Sequence, residues 1–258
     1  MNKKEPQNGG ATTRTAVESP LLKLPNTYRA FYGAFSGLHP LQQQAIDPIL
    51  DDCDLIMQSA TGSGKTEAVL APCLEQIIRS RKSRAALYIV PTRALAFDIR
   101  RRFATLLRER LQLHFAIRTG DLKHNAGGIP DIMLTTPESL DVLLGSSNRE
   151  LRNFTHRIRT IIIDEVHPFI EQYRGRQLAF LLHRLERRIG KKLQKIALSA
   201  TIADPSLIAR SLNFRADFIY LKDSLKRKIK PRLLYLKNDE EELVSLLDDL
   251  YQEWHYKK

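Results

Sequence analysis

The stretch Gln58-Ser59-Ala60-Thr61-Gly62-Ser63-Gly64-Lys65-Thr66-Glu67 constrains this chain more than any other. A short apolar run, Leu55 to Met57, precedes it and a helical pattern starts near Thr66, so the local order is strand, glycine-rich loop, helix N-terminus. Gly62 and Gly64 can take backbone angles that turn successive N–H groups inward. Those donors and the positive end of the helix dipole suit a polyphosphate. Lys65 would then reach the β- and γ-phosphates, and the Thr66 hydroxyl would sit on Mg²⁺. The strict pattern G-x-x-x-x-G-K-[ST] requires glycine where this chain has Ser59. The loop alone is therefore suggestive, and a glycine turn that happens to precede a lysine is the alternative.

Two further acids give the loop a use. Ile161-Ile162-Ile163 reads as a buried strand, and Asp164-Glu165-Val166-His167 follows at its tip. Adjacent acids at the end of a buried strand carry a desolvation cost unless something uses them. With the loop upstream, Asp164 would hold Mg²⁺ and Glu165 would orient and deprotonate an attacking water.

The other segments fit an α/β chain. Leu21 to Phe35 reads as a short helix or two. Pro40 can open a helix with Leu41, Ala45, Ile46 and Ile49 on one face, kept short or kinked by Pro48. On that helix Gln42 could read an adenine edge with its amide, or be no more than a polar helix face. Ala68 to Ile78 continue the helix after the loop, and Ala85 to Val90 is an apolar run stopped by Pro91-Thr92-Arg93. The next helix places Leu95, Ile99, Phe103, Leu106, Leu107 and Leu111 on one face. Its arginines, Arg100 to Arg102, Arg108 and Arg110, read as a solvated face, whereas Thr92 and Arg93 at its start could hold a nucleic-acid phosphate.

His114 to Arg118 and Asp131 to Thr135 read as strands, with a polar loop over 123–130 between them. Thr136-Pro137-Glu138 opens another helix. In an open parallel sheet such strand ends share one rim, where ligands bind. A helix over 176–189 buries Leu178, Leu181, Leu182, Leu185 and Ile189, with Arg174, Arg176, Arg184, Arg187 and Arg188 largely off that stripe. Gln194 to Leu198 is a strand ending in Ser199-Ala200-Thr201, two hydroxyls that could hydrogen-bond His167 or Glu165. A short helix over 207–212 and a last strand over 217–221 follow. Residues 222–232 then form a basic strip, and Leu243, Leu246, Leu247, Leu250 and Trp254 recur at helical spacing.

Composition narrows the partners. The 258 residues are 43% hydrophobic, enough for one large domain or one domain with a fragment of another. Lys and Arg number 41 against 29 Asp and Glu, a net charge of +12 that suits an anionic partner. No apolar run approaches the ~20 residues a bilayer needs, so nucleic acid fits better than membrane. Cys53 and Cys73 form no metal spacing or disulfide framework, which points to a reducing, cytoplasmic setting. The polar first twenty residues exclude a secretory signal and read as a disordered arm. Glu5 and Glu18 disfavour a mitochondrial presequence.

Gln42, Ala60 to Thr66, Pro91 to Leu95, Thr135 to Ser139, Asp164 to His167 and Ser199 to Thr201 jointly resemble, in order and spacing, the motifs of the first RecA-like domain of superfamily 2 DExH-box helicases. The resemblance covers roughly 38–221. Helicases of this superfamily begin the loop with a small residue, which accommodates Ser59. The Thr-Thr-Pro-Glu-Ser-Leu segment, and Arg174-Gly175 after the acids, look most like the large-helicase-related (Lhr) type. Pro91-Thr92-Arg93 looks more like the broader DEAD/DEAH set.

The resemblance implies a mostly parallel sheet with helices on both faces. It also implies that Gln42 contacts adenine and that Ala60 to Thr66 bind ATP. Thr92, Arg93, Thr135 and Glu138 would line a single-stranded nucleic-acid path, and His167, Ser199 and Thr201 would couple hydrolysis to movement. The expected organisation is an arm at 1–20, a RecA-like domain at 21–221, and at 222–258 a linker with the start of a second RecA-like domain. That second domain, in cis or in trans, carries arginines that complete the ATP site. An arginine finger supplies ~10³ to 10⁵ in rate, so this chain alone should hydrolyse ATP slowly. A non-catalytic ATP- or nucleic-acid-binding adaptor is the rival, and Glu165 argues against it. A small-molecule kinase would leave Asp164 to His167 and Ser199 to Thr201 unexplained.

Overall fold

The computed structural model describes residues 19–120, 122–124, 128–170, 173–223 and 240–255. The chain divides into two compact units, 1–223 and 224–258. In the first, α1 (Pro20–Lys23), α2 (Tyr28–Tyr32) and α3 (Pro40–Leu50) precede β1 (Leu55–Gln58) and α4 (Lys65–Arg79). Then come β2 (Ala85–Ile89), α5 (Arg93–Thr105), a π-helical turn (Leu106–Arg110), β3 (Phe115–Thr119), β4 (Leu122–His124) and β5 (Ile132–Thr135). Next are α6 (Pro137–Gly145), α7 (Arg149–Arg157), β6 (Ile158–Ile163), α8 (His167–Ile170), α9 (Tyr173–Ile189), β7 (Gln194–Ser199), α10 (Pro205–Ser211) and β8 (Ile219–Lys222).

The strands form one sheet in the order β4-β3-β5-β2-β6-β7-β1-β8. Every pairing is parallel except β3 with β4. Continuous apolar runs such as Ala85 to Val90 are what a strand buried on both faces requires. Ala86, Tyr88 and Val90 enter one core with Leu70, Leu74 and Ile99, while Ala85, Leu87 and Ile89 enter the other with Leu140, Leu178 and Leu182. Each fully buried aliphatic side chain contributes about 1.5–3 kcal/mol, so the two cores make the sheet a rigid frame for its rim. Among the described residues no helix is long and apolar enough to cross a membrane.

The structure departs from the sequence reading at several points. The start of the loop expected at 123–130 belongs to β4, an antiparallel edge strand pairing Thr119 with Leu122 through Ile117 with His124. Three residues are too few for a period to show in sequence. Helix α7 escaped notice because its pattern is mostly polar, with Phe154 and Thr155 as its buried residues. The helix after β2 does not run on regularly to Leu111: it widens at the π turn, where Leu111 N bonds Leu106 O at 3.3 Å. Helix α9 begins three residues early, and the last strand lies at 219–222. The expected arm at 1–20 and the basic strip at 222–232 lie almost wholly outside the described residues. In the second unit α11 (Glu240–His255) leaves Leu243, Leu247 and Leu250 exposed.

Candidate functional site

The parallel sheet brings the ends of β1, β2, β5, β6 and β7 to one rim. At β1 the chain leaves the sheet through Ser59, whose N–H donates to Ser199 O at 3.1 Å. The Ser59 hydroxyl donates to Asp223 at 2.7 Å. The left-handed positions of the loop are Gly62 (φ 68°) and Gly64 (φ 82°), so position 59 is not one where glycine is needed. Gly64 opens α4, and a methyl group on it would lie 2.4 Å from Gln42 Nε2. Gln42 is fixed from both sides: its Oε1 accepts from His39 N at 3.0 Å and its Nε2 donates to Gly64 O at 3.4 Å. A cleft of about 220 Å³ opens here between Phe35, Gln42, Gly62, Glu67 and Arg102.

Lys65 is buried and its ammonium donates to the carbonyls of Ser59 and, at 3.0 Å, Ala60. Burial lowers its pKa, against the opposing pull of Glu165 and Asp164. Those two acids end β6. Asp164 Oδ2 accepts from the Tyr88 hydroxyl at 2.8 Å and Oδ1 accepts from Glu165 N at 2.9 Å. Burial raises the Asp164 pKa, partly offset by the Tyr88 hydrogen bond, and the neighbouring Glu165 raises it further. The Thr66 side chain reaches the same Tyr88 hydroxyl, so one phenol ties the loop's hydroxyl residue to the strand's acid. Tyr88 is fully buried in an apolar run, and it escaped the sequence reading. A buried tyrosine's need for a polar partner was the available signal.

Glu165 holds a left-handed backbone (φ 47°), and its Oε2 is buried with no hydrogen-bond partner, 3.4 Å from His167 Nδ1. His167 Nδ1 is also 3.2 Å from Ser199 Oγ. Ser199 Oγ in turn donates to Thr201 O at 2.9 Å, and with its proton so placed it accepts from His167 in the tautomer that carries hydrogen on Nδ1. Thr201 enters this relay through its carbonyl, not through the hydroxyl singled out from sequence. Glu165, His167, Ser199 and Thr201 thus form one connected chain between β6 and β7.

Along the rest of the rim, Thr92 caps α5, its hydroxyl accepting from Leu95 N at 3.3 Å. Arg93 lies over Gly120, where a methyl group would come within 2.0 Å of Arg93 Nη2. Thr135 is fully buried and its hydroxyl donates to Arg118 O at 2.9 Å, so it shapes the rim from beneath rather than lining its surface. Glu138 meets Arg174, whose pair with Gly175 the sequence marks only as a family resemblance. Burial would raise the Glu138 pKa, but backbone and Thr136 hydrogen bonds together with Arg174 hold it below the usual carboxylate range.

Chemically, the site offers two left-handed glycines before a helix N-terminus, a buried lysine, a hydroxyl and an acid joined through one phenol, and a second acid with a buried oxygen that accepts no hydrogen bond. The buried Ser63 hydroxyl in the loop likewise has no partner. These are the features of a cradle for a metal-bound polyphosphate.

Comparison with known proteins agrees with that chemistry. The DEAD/DEAH box helicase family model matches residues 39–208. The Lhr helicase/probable uracil glycosylase of Mycolicibacterium smegmatis is 32% identical over 206 residues, covering 72% of this chain and 14% of the relative. The Lhr helicase/uracil glycosylase of Escherichia coli is 34% identical over 218 residues, covering 73% and 14%. This chain therefore corresponds to about one seventh of those relatives. The structure of Mycobacterium smegmatis helicase Lhr bound to ssDNA and AMP-PNP superposes with a TM-score of 0.69 at 28% identity, over 90% of this chain and 33% of that one.

Proposed function

Since the chain belongs to the DEAD/DEAH box helicase family, we propose that it is the ATP-binding motor domain of a nucleic-acid helicase or translocase, working with a second RecA-like domain. The observation that carries this reading is the placement of a buried loop lysine, Lys65, on the same sheet rim as Asp164, whose carboxylate is held by Tyr88, and Glu165. An adaptor that merely held nucleotide would need no acid with a buried oxygen that accepts no hydrogen bond beside it.

The residues have defined tasks. Backbone N–H groups from Ala60 to Thr66 bind the phosphates, and Gln42 meets the adenine in the cleft beside Phe35. Lys65 exchanges its two loop carbonyls for the β- and γ-phosphates. Thr66 and Asp164 would hold Mg²⁺, which neutralises charge on the transferring phosphoryl group. Glu165 Oε2 takes the proton of the attacking water, and His167, Ser199 and Thr201 report its state to the neighbouring strand. Thr92, Arg93 and Glu138 border the nucleic-acid path, with Thr135 supporting it from below. The second RecA-like domain, in cis or in trans, supplies the arginine that completes catalysis.

The test is ATPase activity with Mg²⁺, single-stranded DNA or RNA, and the second domain supplied. Activity that rises strongly on mixing and is lost in Lys65→Ala supports the proposal. Full activity in Lys65→Ala, or none in the assembled complex, refutes it. ATP-independent nucleic-acid binding with no hydrolysis would identify the adaptor instead.

A further inference from the structure

We infer that Arg174 is the positioning residue of the nucleic-acid rim, holding its two opening segments at a fixed separation and tying both to the segment that follows the catalytic acids. The inference rests on the proposed function for its meaning, though not for its geometry.

Arg174 is the second residue of α9, yet its guanidinium contacts three other parts of the rim. Its Nε donates to Glu138 Oε1 at 3.0 Å, and its Nη2 lies 2.8 Å from the same oxygen. Nη2 also donates to Pro91 O at 2.9 Å. The guanidinium plane lies over Phe169 of α8, 5.6 Å from the ring centroid. Pro91 immediately precedes Thr92 and Arg93, and Glu138 sits in the first turn of α6. One side chain therefore joins the segment opening α5, the segment opening α6, and the helix that begins at His167.

The aim of that side chain is fixed by its neighbour. A methyl group at Gly175 would fall 1.6 Å from Phe169 O, so the start of α9 lies directly against α8 and only glycine permits the approach. Arg174 is 33% exposed, and its Nε and Nη2 face protein acceptors. A planar fork can serve a carboxylate, a carbonyl and an aromatic face together, whereas a lysine ammonium is a point charge that cannot. An arginine that bound phosphate directly would behave differently: its loss would weaken binding without loosening the amides that open α5 and α6.

The experiment combines binding of fluorescein-labelled oligothymidylate with hydrogen–deuterium exchange, using the 258-residue chain and its Arg174→Ala and Arg174→Lys variants. Both variants should bind the oligonucleotide about tenfold more weakly. In both, the first-turn amides bonded to Thr92 O and Thr136 O, those of Ala96 and Leu140, should exchange faster than in the wild type. Wild-type binding by Arg174→Lys, or unchanged exchange at either amide in Arg174→Ala, overturns the inference. Failure to bind the oligonucleotide even with the second RecA-like domain supplied refutes the proposed function, and the exchange data still decide whether Arg174 ties the two segments together.

Discussion

The two ends of the sheet handle buried polar groups in opposite ways. At the base, where the strands begin, Asp54 accepts from Lys195 N at 2.9 Å and from Arg215 N at 2.7 Å. Lys195 pairs with Glu186 at 2.6 Å and Asp131 pairs with Arg157 at 2.9 Å. At the rim, Ser63 Oγ, Glu67 Oε2, Thr119 Oγ1 and Glu165 Oε2 are buried without partners. Among the described residues only Arg157 Nε is left so at the base. Buried polar atoms without partners are costly, so their concentration at one end marks where a ligand's polar atoms are to arrive. Stability and chemistry are thus assigned to opposite ends of the same strands.

The sharpest test of that division is Glu165→Gln. It should cut turnover by about 10² to 10⁴, the range for losing a general base, while leaving the melting temperature unmoved. Steady-state ATPase and calorimetry on the same sample would show both. At the base the opposite should hold. Glu186→Ala strands the Lys195 ammonium, whose side chain is 1% exposed, and should cost about 3–5 kcal/mol in urea unfolding. Nucleotide affinity per folded molecule should stay at the wild-type level, and a parallel loss of affinity would break the comparison.

The smallest expected effect has the reverse sign. Burial raises the Asp164 pKa above its ordinary 3.8, so the fold disfavours the ionised form. That cost is present at neutral pH and disappears as pH falls below the unfolded value. Asp164→Asn should therefore melt slightly above the wild type at pH 7 without nucleotide, with the gap closing in acid. Melting curves across pH that show no such convergence would count against a strained acid at the rim.

What sequence reveals of this molecule follows the same division. The phosphate loop and the pair Asp164-Glu165 are legible because their chemistry requires fixed residue types at fixed spacing. Tyr88 is hidden inside an apolar run, where its hydroxyl looks incidental until β6 is placed beside β2. Arg174-Gly175 stands out in sequence by resemblance, but its task does not, since its partners Pro91 and Glu138 are far away along the chain. Strand β4 is too short for periodicity, and its pairing follows from a turn at Gly120 whose φ of 56° shows only in three dimensions. Contacts between segments distant in sequence account for most of what was missed.

Glu165 illustrates how the two demands would separate in a population of variants. Its φ of 47° is a conformation glycine or asparagine adopts with ease, and holding another residue there costs ~1–3 kcal/mol. A library selected for resistance to heat should drift to glycine or asparagine at this position, whereas one selected for turnover should return glutamate. The identity of residue 165 after several rounds would record which pressure the lineage had experienced.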